Sequence, residues 1–380
     1  MDKKKIIRCC LYGLGIVVLA IVVAISAIWI KYKIMDFEVM AKQPESREYS
    51  IYYNSLSYKQ QLLYDSITAA ADALDNESDI LSYSYSMEDF QWIIGCVRAD
   101  RPDLFYVDYD ELVLYHSNHR TKVGMVYLDK PDAIEDMRNK YEDAVRAVME
   151  KVLPSMTDVE KETVINDHLL DNCRYALGEH NDFSSTAYGA LVLGEAYCDG
   201  YAYAAKHLLN QAYIDSHIVY GETDGVKHVW NMVEIDGRYY HLDVMWNDAD
   251  IGNESKLRFH GYFNLSDDII ELDHKYDNKD ILPYATRELN YYKESGCYAE
   301  TTAELEEVLY NQLMRAIEEK REFIELLCPE TKSNEDINAP YTAALKRINE
   351  ELGDEVLYEA FSVYPACSRD NSVTIQIFYN

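Results

Sequence analysis

The chain has 380 residues, with 67 acidic and 36 basic side chains and a formal net charge of −31 at pH 7. This balance disfavours binding to nucleic acid or anionic lipid, since both depend on clustered Lys and Arg. Eight cysteines are scattered along the chain, and neither a Cys-x-x-Cys nor a His-x-x-x-His pair occurs. The sequence therefore predicts no disulfide framework, no metal site and no cofactor.

The N-terminus carries an uncharged stretch over 9–30, which is long enough for one tilted transmembrane helix. Four basic residues precede it and two follow closely, so the positive-inside rule predicts a cytoplasmic N-terminus. A cleaved signal peptide is the alternative, with Ala24-Ile25-Ser26 as its processing site, but the apolar run is longer than is usual for one. We therefore expect a single-pass protein of the cell membrane. The residues after the anchor face outward and comprise 66 acidic and 30 basic ones.

Changes in hydrophobic periodicity divide the chain into six parts. They are a cytoplasmic tip and anchor (1–33), a juxtamembrane linker (34–50), an N-terminal α/β module (51–153), a core (154–266), a connector (267–300) and a C-terminal α/β module (301–380). In the first module the pattern predicts helices over 58–74, from 86 and from 131, and strands near 104–107, 111–116 and 122–128. Thr157-Asp158-Val159-Glu160 is a capping box that begins the core. In the last module we expect helices over 302–327 and 341–352 and strands near 357–363 and 373–379.

A β-hairpin is predicted within the core. Segments 228–235 and 238–244 are rich in β-branched and aromatic residues, and Asp236-Gly237 between them favours a type I′ turn. The tight turn pairs Ile235 with Arg238. A three-residue loop is the alternative, and it would shift the register by one residue.

With the tight turn, Trp230 lies opposite Asp243 and His228 lies opposite Met245. Opposed residues share a face and side chains alternate, so His228, Trp230 and Asp243 project to the same side. A carboxylate there can accept one imidazole N–H and leave the other ring nitrogen free as a base. The alternative is an ordinary amphipathic hairpin whose His and Asp face solvent.

Cys198 lies where an apolar run and a Gly-marked turn lead into a helix with a buried stripe of Ala205, Leu208, Leu209 and Ala212. At a helix start the free N–H groups and the helix dipole stabilise a thiolate and can bind an oxyanion. A lone Cys is more often a small buried hydrophobic residue. Here a His and a carboxylate follow it on a hairpin, as nucleophilic catalysis by a thiol requires.

Three motifs over about 157–264 together resemble the transglutaminase-like superfamily. They are Gly194-x-x-x-Cys198-x-Gly200-Tyr201, His228-Val229-Trp230-Asn231 and the segment from Tyr240 to Asp248. The resemblance implies an α+β core of papain-like type, flanked here by the two small α/β modules and the N-terminal transmembrane helix. It also implies that Cys198 is the nucleophile, His228 the general base and acid, and Asp243 the orienting carboxylate.

The resemblance further implies an oxyanion donor upstream of the nucleophile. Tyr188 occupies roughly that place, although a packing role is an equal alternative. Trp230 is expected to form a wall of the site. Asp199 stands where animal transglutaminases have Trp, so their amine-acceptor channel cannot be assumed.

The expected reaction is attack of Cys198 on a carboxamide or peptide bond of a protein or peptide, with a cell-wall-associated substrate among the options. An amine or water then resolves the thioester, and the sequence does not decide which. A module that binds peptides or cell-wall components without turnover is the alternative, and an anchored scaffold is a third interpretation.

Overall fold

The computed structural model describes residues 3–41, 50–117, 120–178, 181–248, 259–331, 333, 335–352, 362–367 and 372–379. They form two compact units, 1–134 and 135–380.

The first unit begins with a long helix, α1 (Lys3–Ala41). Within it, Leu14–Lys31 is long and apolar enough to cross a membrane, and none of this segment is buried in the protein. Length and composition agree with the predicted anchor, and they are the same properties that a signal sequence has.

Three further helices and a hairpin complete this unit up to the start of α5. They are α2 (Ile51–Ser55), α3 (Tyr58–Ala73), α4 (Met87–Asp100), β1 (Val113–Ser117) and β2 (Arg120–Gly124). Capping boxes start α3 at Ser57 and α4 at Ser86, as the polar side chains there satisfy free N–H groups of the first turn. The strand predicted over 104–107 is wrong, because that segment forms turns in which only Val107 makes a bridge, to Tyr127.

The second unit contains the candidate core. Helix α5 (Pro131–Met149) starts at the predicted proline and leads into this unit, and α6 (Asp158–Asn172) follows the predicted capping box at Thr157. The next elements are β3 (Arg174–Tyr175), a π-helical turn (Gly189–Leu193), β4 (Glu195–Ala196) and α7 (Cys198–Gln211).

A four-stranded antiparallel sheet packs against α7. Its order is β7-β6-β5-β8, formed by Arg238–Leu242, Val226–Ile235, Ser216–Thr223 and His274–Tyr276. The side chain of Asn231 donates to the Ala202 carbonyl of α7 (2.9 Å), which joins helix and sheet at the centre of the core.

The hairpin has the predicted register, with Ile235 paired to Arg238 across the Asp236-Gly237 turn. Both turn residues have positive φ, 52° and 73°, as a type I′ turn requires. The second strand is shorter than predicted, because Asp243 caps a short helix, α8 (Val244–Asn247). The expectation that His228 lies opposite Met245 is therefore wrong.

The segment expected to be a connector supplies β8 and the short helices α9 (Asp267–Ile270) and α10 (Tyr291–Glu294). β8 pairs with β5, where Gly221 lies opposite Tyr276. A Cβ on Gly221 would lie 2.0 Å from the Lys275 carbonyl oxygen and 2.8 Å from the Trp230 ring. Glycine is thus required for β8 to approach the sheet.

The C-terminal part contains α11 (Leu305–Glu319), β9 (Phe323–Leu327), α12 (Glu335–Leu352), β10 (Ser362–Cys367) and β11 (Ser372–Gln376). The helix predicted over 302–327 is too long, since Lys320 ends α11 in the left-handed conformation and 323–327 forms β9, an outer strand of the sheet with order β10-β11-β9. Helix α12 starts earlier than predicted. Most of the strand predicted near 357–363 lies outside the described residues, while the last predicted strand corresponds to β11.

Candidate active site

Cys198 is the first residue of α7, as the sequence predicts, and Tyr197 is its N-cap. The first-turn N–H groups of a helix have no partner within the helix. In α7 these free N–H groups belong to the turn that begins with Cys198. Cys198 is partly exposed, whereas Cys96, Cys173, Cys297 and Cys328 are buried. Burial raises the pKa of Cys173 to about 12 and that of Cys297 to about 11. Among the cysteines with a described environment, Cys198 is the accessible one.

His228 lies on β6 and is 3% exposed. Its Nε2 lies 2.5 Å from Oδ2 of Asp243, so Nδ1 is the ring nitrogen not used by this carboxylate. Burial acts to lower the pKa of His228, but the Asp243 charge and hydrogen bonds to Asp243 and Cys198 outweigh it and raise the pKa to about 10. The structure therefore brings Cys198, His228 and Asp243 together, with the imidazole in the middle.

Asp243 is fully buried at the end of β7. Its Oδ1 accepts the Trp246 backbone N–H (3.0 Å) as the N-cap of α8. Burial acts to raise its pKa, but the charge and hydrogen bond of His228 hold the pKa well below its usual range. Asp243 is thus a carboxylate that is oriented by the backbone and able to stabilise an imidazolium.

A second imidazole contacts the same carboxylate. Nε2 of His274, on β8, lies 3.1 Å from Oδ2 of Asp243, and Nδ1 of His274 contacts Oδ1 of Asp273. Burial acts to lower the pKa of His274, but its hydrogen bonds to the two carboxylates raise it. The sequence gives no signal for His274 at this site, because His274 lies 46 positions beyond His228 in a segment without clear periodicity.

Trp230 is 1% exposed and stacks on the His228 ring, with centroids 5.7 Å apart and planes inclined by 20°. Its indole N–H donates to Nδ1 of His241 (3.0 Å), whose Nε2 faces Asp267 (2.9 Å). Because Nδ1 accepts a hydrogen bond, His241 is the neutral Nε2–H tautomer. Trp230 therefore packs against the imidazole and is itself held by a hydrogen bond to His241.

Two tyrosines differ in their relation to the thiol. Tyr188 is buried, packs on Phe183 (centroids 5.4 Å apart), and has its pKa raised by burial and lowered by the charge of Lys140 on α5. Tyr175 on β3 is partly buried, and its pKa is raised by burial and next by the charge of Cys198. Tyr175 is thus a second candidate for the oxyanion donor, and its place directly after the core helix was its only signal in the sequence.

Among the residues that the structure describes, one group offers atoms that could ligate a metal. Nitrogen and oxygen atoms of His228, Asp243 and His274 all lie within 4.8 Å of one another, and the three residues are buried. These atoms already contact each other through the hydrogen bonds given above. A metal there would displace the hydrogen bonds by which Asp243 holds His228 and His274.

Comparison with known proteins gives one family match. Residues 146–244 match the family model of the transglutaminase-like superfamily. No curated protein matches the sequence closely enough to count as a relative.

Three solved structures that are similar to part of this chain are described as a TGase or as proteases. A protein described as a TGase is 12% identical, with a TM-score of 0.28, over 38% of this chain and 46% of the other. A proposed cysteine protease from Cytophaga hutchinsonii is 12% identical, with a TM-score of 0.25, over 36% and 61%. A proposed protease from Parabacteroides distasonis is 13% identical, with a TM-score of 0.22, over 36% and 35%. This chain spans less than two thirds of each.

The family match supports a general function as a cysteine acyltransferase or protease. The matched segment contains all three residues of the hydrogen-bonded chain described above. The resemblance to the transglutaminase-like superfamily is therefore confirmed over residues 146–244, which hold Cys198, His228 and Asp243.

Proposed function

We propose that this protein is a membrane-anchored enzyme that forms a thioester on Cys198 with carboxamide or peptide groups of proteins or peptides at the outer face of the membrane. The observation that carries the proposal is the continuous contact from the Cys198 thiol through His228 to the buried Asp243 carboxylate. A nucleophile, a base and an orienting group in this order are what acyl transfer by a thiol requires.

In the resting site the raised pKa of His228 favours an imidazolium at neutral pH. The imidazolium and the start of α7 both stabilise a thiolate on Cys198. The thiolate attacks the carbonyl carbon, and the C=O electrons move to the oxygen. Collapse of this intermediate breaks the C–N bond, while His228 gives its proton to the leaving nitrogen.

The thioester is resolved by a second nucleophile. His228, now neutral, takes a proton from water or from a primary amine, which attacks the thioester carbonyl. The Cys198 thiolate then leaves with the C–S electrons, and the ion pair is restored. Water gives hydrolysis and an amine gives a new amide, and both reactions use the same three residues.

The oxyanion needs hydrogen-bond donors beside the thiol. We assign one to the backbone N–H of Cys198 and the other to a tyrosine hydroxyl, either Tyr188 or Tyr175. Single Tyr→Phe variants separate them, because loss of an oxyanion donor lowers kcat by about 10². Burial and, next to it, the charge of Cys198 raise the pKa of Tyr175, and this electrostatic interaction favours Tyr175. We expect Tyr175→Phe to reduce kcat, and Tyr188→Phe serves as the matched control.

The test is to trap the acyl-enzyme. The full-length protein in detergent is incubated with a peptide library containing Gln, Asn and varied backbones, then quenched in acid and analysed by intact and peptide mass spectrometry. We expect an acyl adduct on Cys198 that is absent from Cys198→Ser, and addition of a primary amine shows whether it competes with water. Peptide binding without any adduct on Cys198 would contradict the proposal and favour a binding module.

A further inference from the structure

We propose that His274 is a positioning residue, a buried imidazolium that holds Asp243 and extends the triad into a chain of alternating charge. The chain runs from Cys198 through His228, Asp243 and His274 to Asp273. This inference rests on the proposed function, because it concerns the same site.

The geometry around His274 leaves little freedom for the ring. Nε2 lies 3.1 Å from Oδ2 of Asp243, and Nδ1 contacts Oδ1 of Asp273. Three aromatic rings enclose it, with centroid distances of 5.0 Å to Trp230, 5.2 Å to Trp246 and 5.5 Å to Tyr262. The ring is held on its edges by carboxylates and on its sides by aromatic groups.

The partners of His274 determine its charge. An ionised carboxylate only accepts hydrogen bonds, so a ring whose two nitrogens both face carboxylate oxygens must carry a proton on each. Asp243 is kept ionised by His228, and Asp273 also accepts the Tyr262 hydroxyl (2.7 Å). His274 is therefore cationic. It differs in this from His241, whose Nδ1 accepts the Trp230 N–H.

This cation completes the coordination of Asp243. The carboxylate receives three donors, from His228, His274 and the Trp246 backbone, and it is fully buried. With only two of them, one side of Oδ2 would lack a partner, and the carboxylate could rotate away from His228. His274 thus fixes the group that in turn fixes the catalytic imidazole.

The fold makes a specific provision for His274. β8 pairs with β5 so that Thr223 lies opposite His274. Gly221, two positions before Thr223 on β5, has no Cβ and so leaves room for the Lys275 carbonyl of β8. The titratable groups that face His274 include Asp243 and Asp273 through hydrogen bonds, and His228 and Tyr262 through ring contacts. His241 acts on it by electrostatic repulsion. Two negative charges thus face the imidazolium.

The test measures the alkylation rate of Cys198 by iodoacetamide from pH 5 to 10 in the full-length protein, with intact mass as the readout. His274→Phe keeps a ring without a donor, whereas His274→Gln places an amide N–H near the position of Nε2. We expect His274→Phe to move the acid limb of the profile up by about one pH unit, and so to lower the rate on that limb about tenfold, because a poorly held Asp243 supports the ion pair less well. His274→Gln should stay within about threefold of the parent.

The matched control is His260→Gln, which removes another buried histidine held between two carboxylates, Glu325 and Asp167. It should leave the pH profile of Cys198 unchanged. If His274→Phe fails to fold, as judged by its thermal transition, Asp273→Asn breaks the same chain one residue further out and keeps the Tyr262 contact. It should shift the acid limb in the same direction by a smaller amount.

A normal profile in folded His274→Phe, or the same shift in His260→Gln, would overturn the inference. A merely structural His274 predicts a lower melting temperature with an unmoved acid limb. Absence of His228-dependent alkylation in the parent is a separate result, since it overturns the proposed function itself.

Discussion

Two buried histidines in the same unit have similar surroundings but different partners. His228 faces the Asp243 carboxylate on one side and the Cys198 thiol on the other. His260 lies between Oε2 of Glu325 (2.5 Å) and Oδ1 of Asp167 (2.9 Å), and stacks on Tyr291 with centroids 4.0 Å apart. In both cases burial acts to lower the histidine pKa. The neighbouring carboxylates outweigh the effect of burial, and the pKa is raised to about 10.

The difference shows that a histidine with a strongly raised pKa is not necessarily catalytic. Both nitrogens of His260 are engaged by acids, so its proton has no reacting group to go to. His260 instead joins α6, the segment before α9, and β9 of the C-terminal part. His228 has one nitrogen left for a nucleophile, and this is the feature that makes it a candidate acid-base group.

The largest expected effect separates the two histidines by activity. His228→Ala should reduce the rate of acyl-enzyme formation by about 10²–10⁴, because it removes the general acid and base. His260→Ala should stay within about twofold once the folded fraction is equal. Single-turnover mass spectrometry of Cys198 measures both, and equal losses in the two variants would break the distinction.

The next effect concerns stability. His260→Ala leaves Glu325 and Asp167 without their shared cation, and we expect a loss of about 3 kcal/mol in the free energy of unfolding. This is the low end for a broken buried pair, since the His260 backbone N–H still donates to Glu325 (2.9 Å) and Asp167 is partly exposed. Urea unfolding monitored by tryptophan fluorescence measures the change. A loss below about 0.5 kcal/mol would show that His260 is not a structural link.

The pH dependence of this link follows from the sign of its shift. The folded-state pKa of His260 is raised to about 10, above the value of about 6.5 expected for unfolded His. Its contribution is therefore fully present below about pH 6.5 and is lost as the pH rises towards 10. The stability gap between the parent and His260→Gln should shrink over this range, whereas a constant gap would indicate a neutral imidazole.

The smallest expected effect concerns Tyr291, the aromatic ring that stacks on His260. Tyr291→Leu removes the stack on His260, and we expect a cost of about 1 kcal/mol with no change at Cys198. The fluorescence transition gives the cost, and the alkylation rate of Cys198 is the control. A slower alkylation in this variant would mean that the two centres are coupled.

The sequence predicted those parts of the site that depend on local structure. Asp236-Gly237 set the hairpin register, and the glycines before Cys198 indicated the start of α7. The predicted pairing of Asp243 with His228 agrees with the structure. The predicted second strand of the hairpin is too long, because Asp243 ends β7 by capping α8. The error had no consequence for the pair, since capping uses Oδ1 and the histidine uses Oδ2.

The parts that were missed depend on distant pairing. His274 reaches the site through β8, whose partner β5 lies about 50 positions earlier, and a single sequence carries no periodic signal for a three-residue strand. The predicted helix extends over 323–327 because the apolar residues of β9 continue the helical pattern of α11. The residue that ends α11 in the left-handed conformation is Lys320 and not the usual glycine, so the sequence gives no clear stop signal. Tyr175, proposed above as an oxyanion donor, lacks a periodic signal for a similar reason, as β3 has only two residues.

The central claim is that His228 activates Cys198. The most direct measurement is the rate at which a small neutral thiol electrophile modifies each cysteine of the folded full-length protein at pH 7. The account predicts that Cys198 reacts well before Cys173 and Cys297, and that its rate falls at least about tenfold in His228→Ala. Modification of Cys198 at the same rate in the parent and in His228→Ala would contradict it.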